Sequence, residues 1–314
     1  MTGPFRMFFG VGPRFSRCPA LFLSVFLMLS AVPAALADFR ITEIHACLPD
    51  CPPALSQMKI VLISDLHLTA ENRSRQVFTA LTDRIGLLKP DVLLIAGDIF
   101  DGRDKNRDPK ILAEVWDEFL GRLTERPPLG IFAVLGNHDK LRTDGEEIRA
   151  LLQKSGVCVL ADSVVPIRFQ DATLYLAGTE RRAKRPLPKD FLEKISKLRP
   201  LILMTHYPEI YDLVPDDAKI LVVAGHTHGG VIHIPGMDHG AVVSIFSPKH
   251  RTKYVFGAYG GQDGKRLYVT AGIGGEGNSG HRINNPPEIV VIRPGEKQVT
   301  APMPEKAPGA PAEN

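Results

Sequence analysis

Short, dense apolar runs recur along the chain, and the segments between them carry apolar residues at helical spacing. Residues 58–64 (MKIVLIS), 91–96 (DVLLIA), 131–135, 201–204 and 220–224 have the continuous hydrophobicity of strands buried on both faces. Val77, Leu81, Ile85 and Leu88 predict a helix over 72–88. Pro109 opens a second helix over 109–125. Thr143 and Glu146 have the spacing of a capping box before a third, which runs to about residue 154, and a fourth is expected over 188–198. The second half is richer in short strands: 157–160, 166–169 and 173–177, then 231–234, 253–256, 267–270 and 288–292 between Gly-rich turns. Long apolar strands interleaved with helices imply sheets covered by helices. The pattern predicts one α/β domain over 38–293, with two sheets packed together and helices outside. The Pro-, Ala- and Lys-rich tail, 294–314, has the composition of a disordered segment.

With 314 residues, 44% hydrophobic and 23% charged, the chain can bury a sizeable core. A net charge of +3 is a weak basic bias that does not point to nucleic acid as a partner. It does not change the picture, but the N-terminus does. Arg6, Arg14 and Arg17 precede an apolar run over 20–32, and Ala35-Leu36-Ala37 follows with a small-x-small cleavage pattern. Residues 1–37 therefore read as a secretory signal with Asp38 as the first mature residue. The alternative is a retained anchor to the inner membrane, for which the run is short against the roughly 20 apolar residues of a span. Export would leave the catalytic part in the periplasm or outside the cell, and either reading places it outside the cytosol. Of the four cysteines, Cys18 lies in the leader; Cys47 and Cys51 could close a local disulfide in an exported protein, the alternative being a thiol metal site that has no second Cys pair to complete it; and Cys158, within VCVL, is expected to be buried and inert.

The chemistry lies in what ends each buried strand. The 58–64 run leads into Asp65-Leu66-His67, the 91–96 run into Gly97-Asp98-Ile99-Phe100-Asp101, and the 131–135 run into Gly136-Asn137-His138-Asp139. The 201–204 run leads into Thr205-His206, and the 220–224 run into Gly225-His226-Thr227-His228. Ligands of open sheets gather beyond the carboxyl ends of strands. Hard oxygens and imidazoles without thiolates suit Mn, Fe or Zn. Two such cations can clamp the attacking and leaving oxygens of a displacement at phosphorus. Each block alone has a bland reading, such as a helix cap, a turn residue or a structural histidine. Five blocks at five strand ends do not.

Taken together, DLH, GDIFD, GNHD, the isolated His206 and GHTHGG resemble the signature of the calcineurin-like metallophosphoesterases, over residues 58–292. The resemblance implies a four-layer α/β/β/α sandwich of two mixed sheets with flanking helices. It implies two divalent metal ions, Mn favoured, with Asp65, His67 and His228 on the first, Asn137, His206 and His226 on the second, and Asp98 bridging. A bridging hydroxide would attack phosphorus. His138 would stabilise the transition state or protonate the leaving oxygen, Asp139 would orient His138, and Asp101 would support the loop.

The C-terminal YVTAGIGG, Arg282 and NNPPEI resemble a bacterial branch of exported or membrane-bound phosphodiesterases, some of which hydrolyse UDP-2,3-diacylglucosamine in lipid A biosynthesis. This implies a diester or pyrophosphate substrate, lipid-linked in that branch, and a contact from Arg282 to substrate phosphate. Val231 stands where the branch often has glutamine, and 237–250 departs from its pattern. A basic cluster of Arg181, Arg182, Lys184 and Arg185 reads as a solvated loop, with an anionic substrate as the alternative, and His233, His239 and His281 read as loop residues. The competing functions are a phosphomonoesterase acting on nucleotides or proteins, which would use the same metal site, and a non-catalytic scaffold, which the intact ligand set disfavours.

Overall fold

The structure is a computed structural model, and it describes residues 39–70, 72–105, 107–141, 144–182, 185–234, 252–261, 264–274 and 282–295. The expectations for the leader over 1–37, for 296–314 of the tail, and for Thr143, Lys184, His239, His281 and 237–250 lie outside these residues, while Pro294 and Gly295, expected in the disordered tail, are the last residues of a strand.

Two six-stranded sheets form the centre. The first contains β1 (Arg40–Cys47), β2 (Ile60–Ile63), β3 (Val92–Ala96), β4 (Ile131–Val134), β5 (Val157–Val159) and β12 (Glu288–Gly295), in the order β1-β12-β2-β3-β4-β5. The second contains β6 (Ser163–Phe169), β7 (Ala172–Thr179), β8 (Leu201–Thr205), β9 (Leu221–Ala224), β10 (Gly257–Tyr259) and β11 (Arg266–Val269), in the order β10-β11-β9-β8-β7-β6. Both are mixed. Strands β2 to β5 run parallel while β12 opposes β2. In the second sheet β7, β8, β9 and β11 run parallel, with β6 and β10 antiparallel at the edges.

Strand periodicity builds the layers. Side chains alternate between faces, so Ile60 and Leu62 of β2 meet Leu174, Ile202, Met204 and Val223 of the opposite sheet in the central core. Val61 and Ile63 turn the other way, onto the helices α1 (Asn72–Leu88), α2 (Pro109–Gly121) and α3 (Glu146–Lys154). There Trp116 is stacked on Phe119, with 5.3 Å between ring centroids. On the far side, Leu203 and Val222 pack with Phe191 and Ile195 of α4 (Lys189–Lys197). The result is the four-layer α/β/β/α sandwich. Among the described residues no helix is long and apolar enough to cross a membrane.

Several expectations are corrected. The edge strand β1, which carries no dense apolar run, pairs in parallel with β12 along its whole length. At 231–234 there is only an isolated bridge from Ile232 to Ile283, because Gly229, Gly230 and Val231 all hold φ between 59° and 81° and cannot begin an extended ladder. The strand expected at 253–256 falls at Gly257–Tyr259. α2 stops at Gly121. α3 is preceded by Gly145, and the Asp144 carboxylate accepts from the Glu146 amide at 3.1 Å. Cys158 is exposed, since β5 is a sheet edge whose alternation turns Val157 inward and Cys158 outward. Cys47 and Cys51 are not bridged: the first thiol donates to His45 O at 3.7 Å and the second to Pro52 O at 3.9 Å.

Candidate metal centre

Parallel pairing places the carboxyl ends of β2, β3 and β4 side by side, and those of β8 and β9 likewise. Asp65, His67, Asp98 and Asn137 leave the first group, and His206, His226 and His228 leave the second. The backbone turns sharply at these points. Asp65, His67, Asp98, His226 and His228 all have φ between 48° and 76°, a region L residues rarely adopt. Strain of this kind concentrates at functional sites and persists only where the surroundings enforce it. Here they do. The Asp65 amide donates to Gly97 O and the His67 amide to Asp98 O, at 2.9 and 3.0 Å. Gly136 is required by close approach, because a Cβ there would overlap the Asp98 carboxylate.

The side chains converge into two donor groups. In the first, His67 Nε2 faces His228 Nε2 at 3.2 Å, and His228 Nε2 lies 3.6 Å from Asp65 Oδ1. In the second, His206 Nε2 lies 3.2 Å from each of Asn137 Oδ1, Asp98 Oδ2 and His226 Nδ1. Asp98 Oδ2 is also 3.9 Å from His67 Nε2, so one carboxylate oxygen serves both groups. The triads Asp65–His67–His228 and Asp98–His206–His226 each have the compactness to hold a cation.

Tautomers make the fit a strong one. A carbonyl oxygen only accepts, so His228 Nδ1 donates to Gly274 O at 3.0 Å and His206 Nδ1 donates to Ala96 O at 2.8 Å. Their Nε2 atoms face other acceptors, Asp65 Oδ1 for His228 and Asn137 Oδ1 and Asp98 Oδ2 for His206. Such a set of carboxylate oxygens, an amide oxygen and imidazole lone pairs is satisfied by positive charge. Burial pushes His67 down to about 3, aided by His228, and pushes His226 down to about 3, aided by His206. Burial works against the charge of His206 too, but the Asp98 carboxylate beside it draws it up to about 9. Burial likewise opposes the charge of Asp98, yet the imidazoles of His206 and His67 hold its carboxyl well below the usual range.

His138 sits at the rim of the first group, its ring edge-on to His67 with centroids 4.5 Å apart. Its amide donates to Asp98 Oδ1 at 2.7 Å and its Nδ1 donates to Asp101 Oδ1 at 3.0 Å. This corrects the expected role of Asp139. The Asp139 carboxylate accepts the amides of Ile99, Phe100 and Gly136, at 3.0, 3.0 and 2.8 Å, and ties the GDIFD loop to the GNHD loop. Burial and the nearby Asp98 charge push it up to about 6. Arg107, which carried no sequence signal, clamps the same loop by donating to His138 O and Asp139 O.

Arg282 is also relocated. Its guanidinium donates to the carbonyls of Ala271 and Gly274, the latter also receiving His228 Nδ1, and burial lowers it to about 10. It buttresses the loop behind the first donor group. Asn285 does similar work, donating to His228 O at 2.7 Å. In the basic cluster, Arg181 pairs with Asp162 at 2.5 Å, while Arg182 lies over the Tyr207 ring. His233 is a loop residue whose amide donates to Ile283 O.

The model of the calcineurin-like phosphoesterase family matches residues 58–230, the span that carries all seven donor residues. A Campylobacter jejuni protein described as the uncharacterized metallophosphoesterase Cj0846 is 29% identical over 86% of this chain and 67% of its own length. Phosphodiesterase YaeI of Escherichia coli is 30% identical over 74% of this chain and 81% of its own. The UDP-2,3-diacylglucosamine pyrophosphatase LpxG of Chlamydia trachomatis is 27% identical over 81% of this chain and 88% of its own. The chain belongs to the calcineurin-like phosphoesterase family and is a hydrolase of the metallophosphoesterase kind.

Proposed function

We propose that the chain hydrolyses phosphodiester or pyrophosphate bonds with a pair of divalent cations, manganese favoured, held by Asp65, His67 and His228 on one side, by Asn137, His206 and His226 on the other, and by Asp98 between them. The observation that carries this reading is the set of acceptor atoms around Asp98 Oδ2, which lies 3.2 Å from His206 Nε2 and 3.9 Å from His67 Nε2. When bound, the cations supply Lewis acidity toward the phosphoryl group and acidify the attacking water. Asp98 fixes the spacing of the two groups. His138, with Nδ1–H held by Asp101, presents its other nitrogen toward the leaving oxygen as a proton donor. The preference for diesters rests on the relatives named as a phosphodiesterase and as a pyrophosphatase.

The natural candidate is a lipid-linked substrate such as UDP-2,3-diacylglucosamine. Residues 1–37 direct the chain to export, or anchor it to the inner membrane. Full export would separate the enzyme from cytosolic nucleotide-linked precursors, so that substrate goes with the anchor and an inward-facing domain. Comparing kcat/KM on bis-p-nitrophenyl phosphate and p-nitrophenyl phosphate with added manganese tests the bond class. The diester is expected to win. A monoester advantage of tenfold or more, about 1.4 kcal/mol in transition-state stabilisation, would replace this reading with a phosphomonoesterase.

A further inference from the structure

The strand next to β8 also delivers a charged group to the ligand-bearing edge. β7 runs parallel to β8 with Thr179 paired to Thr205. The residues after Thr179 therefore leave the sheet beside His206. Three cations around this stretch are paired with carboxylates. Lys140 and Arg149 both pair with Glu180, at 2.8 and 3.0 Å, and Arg181 pairs with Asp162. Arg182 is different. Among the described residues no carboxylate pairs with it, and its side chain is exposed.

Its position is nevertheless fixed. Arg182 Nε donates to the Tyr207 hydroxyl at 3.1 Å, and the guanidinium carbon lies 5.3 Å from the centre of the Tyr207 ring. The same ring contacts His206 and His226, with 5.0 Å between centroids in each case. One aromatic ring thus separates a pinned, uncompensated guanidinium from the second donor group. Using Nε on Tyr207 leaves both terminal nitrogens available, the fork that suits a phosphate.

We propose that Arg182 is a specificity-determining residue that binds a second anionic phosphate of the substrate, next to the one being cleaved, so that the centre favours diphosphate-bridged substrates over simple diesters. This rests on the diester reading above. A diphosphate places its second charge one bridging oxygen away from the scissile phosphorus, whereas a simple diester offers nothing for this guanidinium to hold.

The test uses the purified, manganese-loaded protein hydrolysing bis-p-nitrophenyl phosphate, inhibited competitively by dimethyl phosphate or by P1,P2-dimethyl diphosphate. These probes differ in the second phosphate. The ratio of their inhibition constants is expected to favour the diphosphate in the parent protein. In Arg182→Gln it should fall by roughly tenfold, the scale of one charge-assisted hydrogen bond, and Arg182→Lys should recover part of it. A ratio unchanged in Arg182→Gln overturns the proposal, whatever happens to turnover, and marks the loop as merely solvated. A parent ratio near one overturns it as well. If the parent does not hydrolyse the diester at all, the underlying reading fails instead, a result distinct from a flat ratio.

Discussion

At the scale of single residues, the centre separates groups that hold charge from groups that hold other groups. Asp98 belongs to the first kind, because its Oδ2 lies close to both donor sets. Asp98→Ala should lose both cations together with turnover, and elemental analysis that still finds two metals per chain would contradict the bridging role. Asp101 belongs to the second kind. It accepts the Nδ1–H of His138 and so orients the ring; Asp101→Asn should therefore keep the metals and lower kcat by about 10–10², the usual effect of a supporting carboxylate. His138→Gln should cost about 10²–10⁴. The double variant should be no slower than His138→Gln alone, since the carboxylate acts through the imidazole. A further loss in the double variant would mean that Asp101 acts elsewhere. The seven donors were legible in the sequence because each is a chemically specific residue at the end of an apolar run. The partner of His138 was not. Asp101 and Asp139 both lie in motif blocks, and only the path of the loop decides which carboxylate reaches the ring and which is taken up by three backbone amides.

At the scale of elements, the buried parallel strands could be read directly, because continuous apolar runs of that length have few other uses. The edges could not. β1 (RITEIHAC) is half exposed, with burial concentrated at Ile44 and Ala46, and its partner β12 lies almost at the other end of the described chain. Long-range pairing of an edge strand leaves little local trace. What joins these distant edges is Glu288, fully buried at the start of β12. Its carboxylate accepts from Thr42 Oγ1 on β1 at 2.5 Å, from Tyr268 Oη on β11 at 2.8 Å, and, just beyond that strand, from Thr270 Oγ1 at 3.0 Å and the Ala271 amide at 2.9 Å. Four donors meet an acceptor-only group. Glu288→Gln has nearly the same shape but turns an NH₂ toward them. It should lower stability by about 1–3 kcal/mol, the cost of a buried unsatisfied group, read as a lower urea midpoint at constant m-value. An unchanged midpoint would show that the hydroxyls simply rotate to accept from the new amide.

At the scale of the whole molecule, the centre is also a fastening between the two sheets. Asp65 and His67 follow β2 in the first sheet, and His228 follows β9 in the second. The other group repeats the arrangement, with Asn137 after β4 facing His206 and His226 after β8 and β9. Each cation would therefore draw ligands from both sheets, and its binding free energy would be realised only when the sheets are packed. Any species that binds the folded state alone stabilises it by RT ln(1 + [L]/Kd), about 2.7 kcal/mol per site at a hundredfold excess over Kd. For a domain of this size 1 kcal/mol moves the melting temperature by roughly 2–4 °C, so two sites amount to a shift of roughly 10–20 °C. Stripping the protein with a chelator should lower Tm by about that amount, and manganese should restore it. The restoring shift should be absent in Asp98→Ala, which lacks the shared oxygen, and retained in His138→Gln, which lacks only the proton donor. Equal melting temperatures with and without manganese in the parent protein would mean that the sheets are held by their apolar core alone and that the donor atoms do not bind the metal tightly.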